Sequence, residues 1–298
     1  MNPEINDFRQ LVRSKTTHLT LIYADVTRSA KTLESNHLCG PTAGLIQAEA
    51  LTGVAMLADT LSQPEETLTF RFDVDGPIRG LLVEAHVKGT LRGYTKVKVM
   101  NDLDGMERPD TAQALGATGR VEIIRSLPGR ILSSAVSEVY TPSVSRALEK
   151  YFADSLQQGA AVSLHAATAN GYLASARGLL LLEMPDSDPS AFARIKALFE
   201  GGEVDKLLAR ALPLPDICRA LALDDPVYAD PVPLRFSCRC SMERIEKMLG
   251  GLPLEELEEL SKRNEPTRIY CHLCGKDYTV EPERIREIIR ARQEKKGE

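Results

Sequence analysis

Two closely spaced cysteine pairs lie near the end of the chain, Cys238-Arg239-Cys240 and, after thirty further residues, Cys271-His272-Leu273-Cys274-Gly275. Four thiolates suit a tetrahedral zinc ion, which prefers sulfur ligands and needs no open position in a structural site. The two-residue gap of the second pair lets both sulfurs reach one metal, and Gly275 permits the tight turn that this geometry requires. The sequence therefore predicts a Zn²⁺ site whose ligands are Cys238, Cys240, Cys271 and Cys274.

The residues between the two pairs predict two short helices around the site. The apolar positions available for packing are Met242, Ile245, Met248, Leu249, Leu257 and Leu260. A module of this size cannot build a large hydrophobic core, so its folding is expected to depend on the metal. Zinc ligation contributes roughly 10–16 kcal/mol in zinc-finger peptides near neutral pH, which is enough to decide whether the module folds.

Spacing alone leaves two interpretations of the zinc site open. The first is a structural zinc ribbon without a sensing role. The second is a redox sensor, because either pair could close on itself and a disulfide sulfur is a poor metal ligand. A disulfide across one intervening residue is strained and readily re-reduced, as a reversible sensor requires. Both interpretations require metal.

Three other residues are candidates for a role in metal or thiol chemistry. His272 lies inside the second pair, but four cysteines already complete a tetrahedral shell, so His272 is not expected to ligate. Cys39 precedes a helix that begins at Pro41, and the dipole of that helix could lower the thiol pKa. Isolated cysteines are usually packing residues, and we expect Cys39 and Cys218 to be so.

Upstream of the cysteines, the apolar residues follow the spacing of strands in some stretches and the spacing of helices in others. Leu68, Phe70, Phe72 and Val74 alternate with polar residues, which predicts a half-buried strand. Further strands are expected at 81–87, 121–124, 132–140, 162–167 and 178–183, and helices at 41–61 and from 141 through Leu156. Strands in adjacent hairpins followed by helices favour an α+β fold over a doubly wound parallel sheet.

Breaker residues divide the chain into three predicted parts. Residues 1–184 are expected to form an N-terminal domain of mixed sheet and helix. Residues 185–232 begin with a cluster of Pro, Asp and Ser and are expected to form a marginally stable helical linker, with helical pieces between 191 and 222. An extended stretch is expected from 224 to 233. Residues 233–298 are expected to form the small C-terminal zinc-binding module.

Composition argues against several classes of protein. Hydrophobic residues make up 43% and charged residues 27% of the chain, which is ordinary for a soluble protein. The net charge of −5 and the scarcity of aromatic residues disfavour nucleic-acid binding, although a zinc-ribbon nucleic-acid binder remains an alternative function. No apolar run reaches the length of a membrane span, and the N-terminus lacks signal-peptide features, so a cytoplasmic location without membrane association is expected.

An enzyme is not expected from the motifs present. The sequence contains no nucleophile elbow, no phosphate-cradling glycine loop and no histidine-rich metal pattern. The Cys271-x-x-Cys274 motif lacks the strand-then-helix context of a thiol oxidoreductase. We therefore assign no catalytic residues.

A specific combination of stretches surrounds the cysteines, namely Phe236–Ser241, then Leu252–Leu257, then Cys271–Gly275 with Tyr278. This combination closely resembles the signature of the 33 kDa chaperonin family of redox-regulated bacterial holdases. Weaker, collinear likenesses are Asp75–Ile78, Arg92–Tyr94, Leu148–Phe152 and Gly178–Pro185. The resemblance extends from about residue 5 to residue 290.

The resemblance implies a holdase that zinc binding keeps inactive when the thiols are reduced. It implies activation by disulfides Cys238–Cys240 and Cys271–Cys274, with zinc release and loosening of the linker. Residues 1–184 would then serve chaperone activity and dimerisation, and residues 233–298 would be the redox switch. The implied partners are unfolded client proteins, a second copy of the chain when oxidised, and ATP-dependent foldase chaperones downstream.

Overall fold

The computed structural model of the chain describes residues 7–294 and contains two compact units, the first ending at Ser237 and the second beginning at Cys238. The strands of the first unit are β1 (Phe8–Ser14), β2 (Thr20–Asp25), β3 (Thr67–Val74), β4 (Gly80–His86), β5 (Thr90–Thr95), β6 (Thr118–Leu127), β7 (Arg130–Tyr140), β8 (Ala160–Ala169), β9 (Tyr172–Leu182), β10 (Pro226–Tyr228), β11 (Val232–Pro233) and β12 (Arg235–Phe236). Its helices are α1 (Thr27–His37), α2 (Pro41–Leu57), α3 (Asn101–Asp104), α4 (Thr111–Leu115), α5 (Val144–Tyr151), α6 (Pro189–Glu200), α7 (Glu203–Ala209) and α8 (Leu214–Ala220).

The strands of the first unit form two sheets. One has the order β10-β1-β2-β9-β8, with β11 also paired to β1, and the other has the order β12-β5-β4-β3-β6-β7. Every pairing in these sheets is antiparallel except that of β12 with β5. The predicted α+β class is confirmed, and each predicted strand is present.

Strands β2 and β9 are buried on both faces of the first sheet. Ile22 and Leu180 belong to the main hydrophobic core, whereas their neighbours Leu21 and Leu179 belong to a second core on the opposite face. Successive side chains of a strand point to opposite faces, so burial of both faces requires an uninterrupted apolar run. The apolar stretches of β2 and β9 satisfy that requirement.

Helix α2 lies between the two sheets. It contacts β2, β8 and β9 of one sheet and β3, β4 and β5 of the other. All of its residues except Pro41 and Glu49 are buried, as expected for a helix that is apolar around its whole circumference. The predicted helix at 41–61 is thus confirmed, with a short 3₁₀ turn at Ala58–Thr60 forming its end.

Helices α6, α7 and α8 cover the outer face of the first sheet. Their buried residues Ile195, Leu208 and Ile217 join the second hydrophobic core. The predicted interruptions are present, because α6 ends before Gly201-Gly202 and α8 begins after Pro213. The predicted division into residues 1–184, 185–232 and 233–298 concerns local stability as well as packing, and it stays a prediction.

The predicted apolar face of the helix at 141–156 is wrong at its C-terminal end. Leu156 was expected to lie on the apolar face of the helix that begins near residue 141, but it is 43% exposed. The α-helix α5 ends at Tyr151 and continues as a π-helical turn over Phe152–Leu156. A π turn contains more residues than an α turn, so it rotates the following side chains away from the apolar face.

The second unit contains α9 (Met242–Leu249), α10 (Leu254–Lys262), β13 (Thr267–Tyr270), β14 (Asp277–Val280) and α11 (Pro282–Glu294). Its buried core is small and consists of Ile245, Leu249, Leu257, Val280 and Ile285. The two predicted helices are present as α9 and α10. Met242 and Met248 were expected to help form the core, but both are exposed, with 54% of Met248 accessible.

Phe72→Ala is expected to destabilise the first unit by about 3–5 kcal/mol, because truncating a buried phenylalanine leaves a cavity. Phe72 is fully buried and packs against Phe70 with ring centroids 5.8 Å apart. Urea denaturation followed by circular dichroism measures the change in the free energy of unfolding. Val136→Ala, at a 45% exposed position of β7, is the control and should change it by less than about 0.5 kcal/mol. Equal effects of the two substitutions would contradict the described packing.

No helix within residues 7–294 combines the length and the apolar composition needed to cross a bilayer.

Candidate metal centre

The two cysteine pairs are held by different local structures. Cys240 precedes Ser241, whose hydroxyl accepts a hydrogen bond from the backbone N–H of Arg244 and thereby caps α9. Cys271 and Cys274 lie in the turn between β13 and β14. There the N–H of Cys271 donates to the carbonyl of Lys276, and the N–H of Gly275 donates to the carbonyl of Cys271.

Gly275 adopts the left-handed conformation that the turn requires, with φ of 73°. This agrees with the expectation that a glycine at this position permits a tight turn around the second pair. Backbone amides also point at the sulfurs, that of Lys276 at Cys274 and that of Cys240 at Cys238. Amide donors of this kind stabilise thiolates that bind a metal.

The structure brings the four predicted cysteines together. Their sulfur atoms all lie within 4.8 Å of one another. The Sγ atoms of Cys238 and Cys271 are 3.9 Å apart, and those of Cys240 and Cys274 are 3.2 Å apart. Cys274 is almost fully buried, with 2% exposed, and the other three are half-buried.

The cluster fits a tetrahedral zinc ion. Zinc–sulfur bonds of about 2.3 Å in a tetrahedron place the sulfurs about 3.8 Å apart. The measured sulfur separations bracket that value, and four soft donors are the set that zinc prefers. Within residues 7–294, these four thiols are also the only group of three or more histidine, cysteine or acidic side chains arranged to hold a metal.

The thiols of the cluster differ in acidity. Burial raises the pKa of Cys238 and of Cys274. Burial also acts to raise the pKa of Cys240, but hydrogen bonds from Tyr278 and from the neighbouring sulfurs outweigh it and bring the pKa to about 7. Only thiolates ligate zinc, so zinc binding at this cluster would release protons and would weaken as the pH falls.

Tyr278 is a residue of this site whose contact the sequence pattern does not reveal. Its phenol donates a hydrogen bond to Cys240 Sγ, with 2.9 Å between oxygen and sulfur. Strand pairing places Tyr278 of β14 opposite Ile269 of β13. That register, rather than any local motif, directs the ring at the first cysteine pair.

The remaining candidates lie outside the cluster. His272 packs edge-on against the ring of Tyr270, with centroids 5.6 Å apart. Burial raises the pKa of Cys39 to about 11, so the neighbouring helix does not activate this thiol. Cys218 is buried in the second core of the first unit, and burial raises its pKa too. Both surroundings agree with the expected packing role.

Comparison with known proteins identifies the family. The model of the Hsp33 protein family matches residues 7–281. The chain belongs to the Hsp33 family. A 33 kDa chaperonin of Thermus thermophilus is 29% identical over an alignment of 291 residues that covers 91% of this chain and 83% of that protein. A 33 kDa chaperonin of Bacillus licheniformis is 24% identical over an alignment of 265 residues that covers 88% of this chain and 91% of that protein.

A solved structure supports the fold. The crystal structure of the 33 kDa chaperonin (Hsp33 homologue) from Thermotoga maritima superposes with a TM-score of 0.84. It covers 96% of this chain and 99% of its own, at 21% sequence identity. At that identity the likeness concerns the fold. Membership of the Hsp33 family supports a chaperone role for the chain, and the four-cysteine cluster fits zinc binding.

Proposed function

We propose that the chain is a redox-regulated holdase of the cytoplasm. In the reduced state, Cys238, Cys240, Cys271 and Cys274 hold Zn²⁺ and the protein is inactive. Oxidation joins Cys238 to Cys240 and Cys271 to Cys274, the sulfurs release the ion, and the unit from Cys238 onward loses its fold. The observation that carries this proposal is the convergence of four thiols, three of them half-buried, in a unit that has only a small apolar core.

Hydrogen peroxide is the oxidant in the proposed formation of the disulfides. One thiolate attacks an oxygen of hydrogen peroxide to give a sulfenic acid and hydroxide, which takes up a proton to form water. The second thiol of the pair then attacks that sulfur, forming the disulfide and releasing a second water. Each disulfide therefore consumes one peroxide, which is reduced as the two thiols are oxidised.

Disulfides that join cysteines within the same sequence pair suit a switch that unfolds the unit. The sulfurs of Cys240 and Cys274, which come from different pairs, are only 3.2 Å apart. A disulfide between those two would tie distant parts of the unit together and restrict its unfolded state. A disulfide within either pair closes a loop of only one or two residues and leaves the remaining chain free. Peptide mapping of the oxidised protein distinguishes the two patterns.

Loss of order in the second unit would activate the protein through the linker at 185–232. Helices α6 to α8 cover apolar residues on the outer face of the first sheet, among them Leu21 and Leu179. Their detachment would uncover this face for unfolded clients. We further propose that the oxidised form is a homodimer, that it holds clients without ATP, and that ATP-dependent foldases receive them after reduction.

Light scattering of a heat-unfolding client protein tests the proposal. The oxidised, zinc-free protein should suppress aggregation at about equimolar concentration, and the reduced, zinc-bound protein should not. Reduction with thiol should restore the inactive state when zinc is supplied. The Cys39→Ser variant is the control, since Cys39 lies outside the cluster and its loss should leave switching unchanged. Equal suppression by the oxidised and reduced forms would contradict a redox switch.

A further inference from the structure

One side chain beside the cysteine cluster is placed to control its reactivity. The hydroxyl of Tyr278 donates to Cys240 Sγ across 2.9 Å, and Tyr278 is half-buried. Cys240 also lies 3.2 Å from Cys274 and is itself half-buried, so an oxidant can approach it. This phenol is therefore a neutral donor aimed at an accessible sulfur of the proposed switch.

The position of the phenol is held by the surrounding hairpin. Tyr278 pairs with Ile269, and the same strand continues to Val280, which is buried in the core of the second unit. The other end of the hairpin is closed by the hydrogen bond from the Cys271 N–H to the Lys276 carbonyl. The backbone of Tyr278 is therefore held in register with β13, at a position from which the phenol reaches Cys240.

We propose that Tyr278 is a positioning residue that slows the reaction of Cys240 with peroxide and so sets the oxidant level at which the switch responds. This inference rests on the proposed redox function. A hydrogen bond to a thiolate stabilises its negative charge. When the sulfur attacks peroxide, that charge moves to the leaving oxygen, so the hydrogen bond weakens in the transition state and the barrier rises.

The reaction of Cys240 with hydrogen peroxide has the same stoichiometry as the disulfide formation described above. The Cys240 thiolate displaces hydroxide from hydrogen peroxide and becomes a sulfenic acid. Attack by the Cys238 thiol then yields the disulfide and water. Tyr278 donates its hydrogen bond to the starting thiolate and neither gains nor loses a proton over the sequence.

Tyr278→Phe is the test, because it removes the hydroxyl and keeps the ring. In the full-length, zinc-loaded, reduced protein, peroxide-driven zinc release should become about three- to tenfold faster, as measured with a colorimetric zinc chelator. Trapping of the sulfenic acid should show the same acceleration at Cys240. Tyr270→Phe is the matched control, since it removes a phenol from the same hairpin, and its rate should equal that of the wild type.

A spectroscopic measurement separates tuning of the sulfur from a general loosening of the unit. In the cobalt-substituted protein, loss of the hydrogen bond raises the energy of the sulfur electrons. The sulfur-to-cobalt charge-transfer band of Tyr278→Phe should therefore shift to longer wavelength, at unchanged metal stoichiometry and protease resistance. Replacement of Tyr278 by 3-fluorotyrosine, a stronger donor, should have the opposite effect and slow zinc release.

The outcomes distinguish this inference from the proposed function. If wild-type protein holds zinc and releases it with peroxide, but Tyr278→Phe releases it at the same rate or more slowly, only the role of Tyr278 is overturned. If 3-fluorotyrosine does not slow release, the role is overturned even where Tyr278→Phe fails to fold. If wild-type protein holds no zinc, or keeps it under peroxide, the proposed function itself fails.

Discussion

The Cys240→Ser protein is expected to lose tight zinc binding and, with it, the fold of the unit that begins at Cys238. Ligation contributes roughly 10–16 kcal/mol in zinc-finger peptides, whereas whole domains are stable by only about 5–15 kcal/mol. The apolar core of the unit contains only five buried residues and cannot compensate for the lost metal. Removing one of four thiolates therefore unfolds this unit while the first unit stays folded.

Zinc content after dialysis and limited proteolysis measure the two expected effects. The variant should retain well under one zinc per chain, and cleavage should begin after residue 238 while a fragment of the first unit persists. Cys39→Ser is the matched control, because it replaces a cysteine that lies outside the cluster. A Cys240→Ser protein with a full complement of zinc and wild-type protease resistance would contradict the assignment of Cys240 as a ligand.

Ile217→Asp is expected to make the reduced, zinc-bound protein active as a holdase. Ile217 is a residue of helix α8 and is fully buried in the second core. An unpaired carboxylate at that position costs several kcal/mol, which is enough to detach the helices from the sheet. The apolar outer face of the sheet would then be accessible without any oxidation of the cysteines.

Client light scattering under reducing conditions measures the expected gain, and hydrogen exchange reports whether α6 to α8 have opened. Ala220→Asp introduces the same charge at an exposed position of the same helix and should leave the reduced protein inactive. If hydrogen exchange shows the helices of Ile217→Asp open while the reduced protein still fails to hold clients, release of the linker is not the activating step.

Local patterns were sufficient for most of the fold but not for its first elements. The alternation of Leu68, Phe70 and Phe72 predicts β3 because one face of that strand is polar. Strand β2 is buried throughout and so has no alternation to detect, and helix α1 is largely polar. The pairing of β10 with β1 joins residues more than two hundred positions apart, and no local pattern encodes such a contact.

The candidate site, too, was predicted only where local sequence patterns are sufficient. Cysteine spacing predicts the four thiols, because a metal constrains its ligands to a few short motifs. The donor to Cys240 could not be predicted, since its direction depends on the register of β13 against β14. Tyr278 was noted only as part of the family resemblance. The exposure of Met242 and Met248 also escaped prediction, because their spacing alone does not exclude them from the core.

Strands β10 and β11 affect the tendency of this protein to associate with itself. They form the outer edge of their sheet beside β1, and the segment that contains them carries Pro226, Pro231 and Pro233. Proline has no amide hydrogen to offer an incoming strand. Successive addition of strands into fibres is therefore disfavoured along this border, which suits the proposed role among unfolding clients.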